Sequence, residues 1–311
     1  MILCAGEMLI DLLPEPPAPD GALRWRAVPG GAPLNCARAL ARLGSTAACL
    51  APVSTDAPGN LLAGIMEADG VALAGGRSDR PTALALVSHS AAGPIYAFHR
   101  HATADRDLCA ERLRAALAPP ARALTLSGMA LSEGPDAEAL TDLALRAADR
   151  GVVLVLDPNV RPAALPPGPG PFRDRIARIA ARADLVKLSD EDAAWLAPDR
   201  PPETFAEDLR RAGAALVVLT KGAQGAVALG PQGRLARPAA PVAQLVDTVG
   251  AGDTFLAALL DGLRRADALA PGVPARLPAD TFAALMDRAA RAAALCCARP
   301  GCDPPRLVDL A

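Results

Sequence analysis

The sequence predicts an α/β protein, a three-layer α/β/α sandwich with a mostly parallel central sheet and a small β-sheet lid. Three observations lead there. Short apolar runs recur between stretches of helical period, the rhythm of βαβ units and not of a repeat array. Two segments, about 12–29 and 82–103, break that rhythm and read as strand pairs. A turn of small residues, Gly250-Ala251-Gly252, opens directly into an amphipathic helix, which gathers unpaired backbone N–H groups and a positive helix end at one point.

Composition narrows the function classes. The 311 residues suit one large domain with an appendage, so 1–311 is read as a single domain carrying the lid. Apolar residues make up 51% and charged residues 21%, with a formal net charge of −2, which argues against disorder and against a nucleic-acid partner. A small-molecule partner is expected. No apolar run approaches the ~18 residues that span a bilayer, and the start lacks a basic segment and cleavage site, so we expect a cytoplasmic protein with no membrane partner. Seven cysteines without a C-x-x-C pair read as reduced thiols. Lys187 and Lys221 are the only lysines among many arginines, which looks like the coding bias of a GC-rich genome.

In order, residues 2–10 read as one buried strand with Asp11 as its polar tip, unless Asp11 is only a surface turn residue. The prolines at 14, 16, 17 and 19 exclude a helix before Leu23–Val28, so 12–29 forms half of the lid. Gly30-Gly31 is a turn that lets backbone approach a ligand, and Asn35 on the following helix can both donate to and accept from hydroxyls. Gly44 ends that helix. Residues 47–53 continue as a strand, followed by a helix through Met66.

Residues 82–88 and 95–100 are the second half of the lid, joined by a turn at 91–94. All three histidines fall in this region, but no other ligands converge on them and no metal site is expected. Strands at 123–127 and 152–156 flank a helix from about Asp136 to Arg150. Asp157-Pro158-Asn159-Val160-Arg161 follows, and Arg161 could cap the sheet edge by pairing with Asp157. The strand 185–189 carries Lys187 and runs into Asp190-Glu191-Asp192, carboxylates that suit a helix start. The strand near 215–219 leads to Thr220, Gly222 and Gly225 in a glycine turn without the G-K-[ST] ending of a Walker loop. A last helix is expected over 289–297.

Beyond Gly250-Ala251-Gly252, Phe255, Leu256, Leu259, Leu260 and Leu263 form the buried stripe of a helix, with Asp261, Arg264 and Arg265 on its other face. Asp253 at the start of this helix is either an N-cap or a general base acting beside a bound phosphate.

The stretch Asp247-Thr248-Val249-Gly250-Ala251-Gly252-Asp253-Thr254-Phe255 resembles the C-terminal signature of ribokinase-like (PfkB-type) sugar kinases. Five further places agree in the same order: Gly6 to Asp11, Gly30-Gly31 with Asn35, the lid, the D-x-N-x-R segment, and Thr220-Lys221-Gly222-Ala223-Gln224-Gly225. The lid segment Phe98-His99-Arg100 and the D-x-N-x-R segment are most similar to the branch of fructokinases and 2-keto-3-deoxygluconate kinases.

The resemblance implies a ribokinase-like fold and transfer of the γ-phosphate of Mg-ATP to a sugar's primary hydroxyl, with D-fructose as the first expectation. It implies Asp253 as base, with Gly250, Ala251 and Gly252 stabilising developing charge. Asp11, Gly30, Gly31, Asn35, Arg100 and Arg161 would contact sugar. Asn159, Lys187, Thr220, Gly222 and Gly225 would line ATP. Asp192 would hold Mg2+ through water, although Ser189 and Asp192 depart from the family's N-x-x-E. Asp247 and Thr248 would lie beside a K+ ion. A homodimer through the lid is a further expectation. The rivals are a kinase for 2-keto-3-deoxygluconate, another ketose, ribose or a nucleoside, and a catalytically silent sugar- or nucleotide-binding protein, against which the intact Gly250–Asp253 turn argues.

Overall fold

The first strand stops early, and that break sets the architecture. Gly6 adopts φ +147°, and a Cβ there would run into the Pro33 ring, so the strand Ile2–Ala5 ends. The chain re-enters a different sheet as Leu9–Glu15. The single strand expected over 2–10 is therefore two, and Asp11 sits inside a lid strand, not at the tip of a core strand. The structure, a computed structural model, describes residues 1–310 except 17, 19, 91, 92 and 169, so the expected lid turn at 91–94 falls partly outside the described residues.

Nine strands form the main sheet in the order 233–237, 226–230, 217–220, 185–189, 153–157, 123–127, 2–5, 47–49 and 72–73. The seven from 217–220 to 72–73 run parallel and the two at the far edge close an antiparallel hairpin. Buried on both faces, the parallel strands are continuous apolar runs such as Val153-Leu154-Val155-Leu156. The chain goes from Ile2–Ala5 outward to 47–49 on one side and returns to 123–127 on the other. This reversal opens a crevice at the carboxyl ends of the strands, where such sheets bind ligands.

Helices cover both faces. Ala32–Arg42, Ala57–Asp69, Ala251–Arg265 and Ala279–Cys297 pack on one, while Gly134–Asp149, Gly170–Ala180 and Pro202–Arg211 pack on the other. In Ala251–Arg265, Phe255, Leu256, Leu259, Leu260 and Leu263 are buried as their spacing predicts, each worth about 1.5–3 kcal/mol. Asp261 is buried too, against the expectation of an outer face; Arg264, Arg265, Arg288 and Ser45 surround its carboxylate. The last helix begins at Ala279, ahead of the expected 289, behind Pro278. The strand expected over 47–53 is split into Ala47–Cys49 and Val53–Ser54, the latter paired with Arg77–Ser78 in a small separate sheet.

The four-stranded second sheet runs in the order Arg24–Gly30, Leu9–Glu15, Ala83–Ser90, Gly93–His99. Val28, Asp11, Ala85 and Phe98 lie in one cross-strand row and so share a face. That face packs through Leu9, Ala83 and Ala85 on Met129 at the crevice. The opposite face carries Trp25 and Ile95, 42% and 53% exposed.

Candidate active site

Two helix starts meet over the crevice. Gly250 takes the left-handed conformation, φ 76°, immediately before the helix Ala251–Arg265, and a Cβ there would strike Cys302. Only glycine turns the chain so tightly at this point. Among the described residues no backbone carbonyl takes the amides of Gly250, Gly252 or Asp253, whereas the Ala251 amide donates to the Thr248 carbonyl at 3.2 Å. Ala251 thus braces the turn, and the open donors are its neighbours.

Asp253 is 8% exposed, and both its oxygens are held by asparagine amides. Asn35 donates to Oδ2 at 2.9 Å and Asn159 to Oδ1 at 3.2 Å. Burial raises its pKa, opposed by these bonds and by the charges of Lys187 and Arg161. It makes no side-chain capping bond at its helix start, so the N-cap alternative falls away.

Asn35 reaches Asp253 because Gly31, φ 107°, and Pro33 start its helix under the lid. Its Oδ1 is buried, an acceptor without a hydrogen-bond partner among the described residues. Asp11 lies against Gly30, where a Cβ would overlap its carboxylate, and Gly31 lies as tightly on the Glu7 carbonyl. Burial pushes the Asp11 carboxyl up to about 6 despite nearby Arg161. Asn159 adopts φ 40°, the left-handed region, and its amide is turned to Asp253. Gly30, Gly31, Asn35, Asp11, Asn159 and Asp253 therefore converge.

Arg161 is exposed and does not pair with Asp157, which is held instead by Lys187 Nζ at 2.9 Å. Both members of that pair are buried; burial pushes Asp157 up to about 6, and Asp157 with Asp192 holds Lys187 above its ordinary pKa against burial. Arg100 lies beneath the lid and not on its face: it is 7% exposed, paired with Asp105 at 2.7 Å and donating to the Met129 carbonyl. Asp192 closes a capping box with Ser189 and also accepts from the Val160 amide at 2.7 Å, so helix capping is its visible role. Asp247 clamps its loop by accepting from the amides of Val249 and Gly301.

Beyond Gly252 opens a cleft of about 790 Å³ reached by Thr220, Gly222, Gly225, Lys187 and Thr248 and walled by Phe255, Met286 and Ala290. Gly225, φ 89°, lies where a Cβ would overlap the Arg237 carbonyl. The volume and the apolar wall suit a purine nucleotide. Among the described residues no cluster of three or more His, Cys, Asp or Glu could hold a metal, and no helix is long and apolar enough to cross a membrane.

Two residues escaped sequence reasoning. Glu7, 5% exposed, accepts from the Ala130 amide at 3.2 Å; a carboxylate inside an apolar run was its one signal. Gly128 lies under the Pro158 carbonyl, where a Cβ would overlap the oxygen, and a contact between distant segments leaves no local signal.

The chain matches the pfkB family carbohydrate kinase model over residues 1–308. It is 37% identical to a fructokinase of Rhizobium leguminosarum bv. trifolii over 266 residues, 85% of this chain and 80% of that one. The structure of a Xylella fastidiosa fructokinase with bound ATP superposes with a TM-score of 0.89 at 28% identity, covering 99% of this chain and 96% of that one. A double mutant of a Vibrio cholerae O395 fructokinase, bound to fructose, ADP and potassium ion, shares the fold, with a TM-score of 0.81 at 23% identity over 97% and 93% of the two chains.

Proposed function

The chain belongs to the pfkB family of carbohydrate kinases and is an ATP-dependent sugar kinase; from that premise we propose that its acceptor is the primary hydroxyl of D-fructose and Asp253 its general base. The observation that carries this is the position of Asp253, bonded to Asn35 under the lid and next in the chain to Gly252, which lines the nucleotide cleft. Asp11, the unpartnered Asn35 Oδ1 and the backbone of Gly30 and Gly31 are suited to grip the sugar hydroxyls. Arg161, near Asp11 and Asp253 and without an ion pair among the described residues, is suited to the sugar or the phosphates, and Arg100 supports the floor beneath.

Asp253 accepts the hydroxyl proton as the sugar oxygen attacks the γ-phosphorus, and the amides of Gly250 and Gly252 stabilise charge on the phosphoryl oxygens. Thr220, Gly222 and Gly225 shape the cleft for ATP. Mg2+ arriving with ATP neutralises phosphate charge; Asp192 and the unpartnered Asp157 Oδ1 are hard oxygens suited to its water ligands. Asp247 and Thr248, on the loop before the turn, are suited to shape a K+ site. The free thiols support a cytoplasmic setting, and the exposed apolar face of the lid supports a homodimer through it.

ADP release with Mg-ATP and potassium, across fructose, ribose, 2-keto-3-deoxygluconate, adenosine and inosine, is the test. Fructose is expected to dominate, with activity falling when a large organic cation replaces potassium. Preference for another sugar would move the substrate, and sedimentation of the same preparation reads the dimer.

Asp11 gives this reading a pH signature. With its carboxyl near 6, protonation as pH falls through that value removes an acceptor, so KM for the sugar is expected to rise below about pH 6. The same dependence is expected to vanish in Asp11→Asn, and a KM flat from pH 5 to 8 in the wild type would exclude the contact.

A further inference from the structure

Two thiols stand directly behind the turn that precedes the helix Ala251–Arg265. Cys302 lies so close to Gly250 that a Cβ on the glycine would overlap its Sγ. Cys296, at the end of the last helix, donates from its Sγ to the Val249 carbonyl at 3.7 Å. Among the described residues no other donor reaches that carbonyl. Gly301, φ 66°, bends the chain between the two cysteines, and their thiols hydrogen-bond to each other. Cys302, Cys296 and the Val249 carbonyl thus form one line of contacts against consecutive residues of the turn. Cys296 is fully buried and Cys302 is 9% exposed. The bond from Cys302 holds the Cys296 thiol below its ordinary pKa, which favours the thiolate that reacts with oxidants. One buried cysteine packs as a small apolar residue and calls for no further reason. A pair in mutual contact, seated on the backbone whose amides face the cleft, has chemistry of its own.

We propose that Cys296 and Cys302 are an oxidation site for hydrogen peroxide, and that the disulfide they form disables the Gly250 turn. The Cys296 sulfur takes one oxygen of the peroxide as the O–O bond breaks, and the other oxygen leaves as water with the Cys296 proton. The Cys302 sulfur then attacks the Cys296 sulfur, the sulfur–oxygen bond breaks, and that oxygen leaves as a second water with the Cys302 proton. The two sulfurs give up the two electrons that the peroxide gains. Two changes at the turn follow. A covalent bond between sulfurs is much shorter than a contact between thiols, so Cys302 must leave its seat on Gly250 or carry the turn with it. Neither sulfur then bears a hydrogen, and the Val249 carbonyl loses its donor. The amides of Gly250 and Gly252 are displaced, whereas Asp11, against Gly30 on the lid side, is untouched. The effect on turnover rests on the kinase reading above; the disulfide itself does not.

The test is wild-type protein treated with hydrogen peroxide and quenched with catalase, then mapped by differential alkylation and mass spectrometry and assayed with Mg-ATP and fructose. Mapping is expected to find Cys296 joined to Cys302, with kcat lower by about tenfold or more and KM for fructose within about threefold. Dithiothreitol is expected to restore both thiols and the rate. Cys302→Ala, which keeps the Cβ against Gly250, is expected to hold through the same treatment the rate it had before it. Oxidation of the exposed Cys109 with both thiols left free would overturn the site, as would a bond mapped instead to the other buried pair, Cys4 and Cys36. An oxidised pair with unchanged kcat would overturn the effect on the turn, and so would a loss of rate that Cys302→Ala shares. A wild type silent on every sugar defeats the kinase reading, while the mapped bond still decides the oxidation site.

Discussion

Asparagine in place of Asp253 is expected to give a folded protein that still binds ATP and turns over about a thousandfold or more slowly. The side chains are nearly the same size, and burial disfavours the Asp253 charge, so losing it relieves a desolvation cost. Against this, one of the two amides that now donate to the carboxylate would face an NH2 group, a loss of about 1 kcal/mol. Stability should therefore change little while the proton acceptor disappears. Thermal melting, ATP titration calorimetry and kcat on one preparation separate these effects. Wild-type turnover in Asp253→Asn would remove the residue from the role of base.

Gly128→Ala is expected to be nearly as damaging to activity, from a residue with no chemistry of its own. The new Cβ would overlap the Pro158 carbonyl oxygen. The strands cannot part to make room, because Ser127 and Asp157 are register partners at the ends of two parallel strands in the middle of the sheet. The strain falls on Pro158 and the residue after it, Asn159, whose amide holds Asp253. Overpacking of this kind costs about 1–3 kcal/mol, occasionally more. A displacement of about 1 Å in a catalytic group costs about a hundredfold in rate. Denaturant midpoint and kcat should both fall, and an unchanged kcat would show that Pro158 and Asn159 do not position the base.

Local signals served some elements better than others. The helix after Asp253 was readable because apolar spacing and a glycine turn are properties of adjacent residues. The lid strands were readable because prolines exclude the alternative. The break at Gly6 was hidden, since apolar residues on both sides look like one strand and the cause, Pro33, is distant in sequence. The same limit explains Arg100, Asn159 and Asp192. The motif places each near a ligand but says nothing of its protein partner, which is Asp105, Asp253 or the Val160 amide, brought in by the sheet. Motifs fix which residues arrive at a crevice; packing decides which way they face.

The two asparagines on Asp253 also bear on an acceptor present in vast excess, water. An idle kinase holding ATP risks spending it on hydrolysis whenever a water sits over the γ-phosphorus with a base free to accept its proton. Here each carboxylate oxygen already accepts an amide hydrogen before any sugar arrives, and if Asp253 is the base as proposed, both bonds lower its basicity toward a stray water. Asn35 belongs to the helix start beside Asp11, so on the proposed sugar site a hydroxyl that engaged that amide would free one oxygen of Asp253. On the proposed role of Asp253, thrift with ATP would follow from the pairing of one base with two amides.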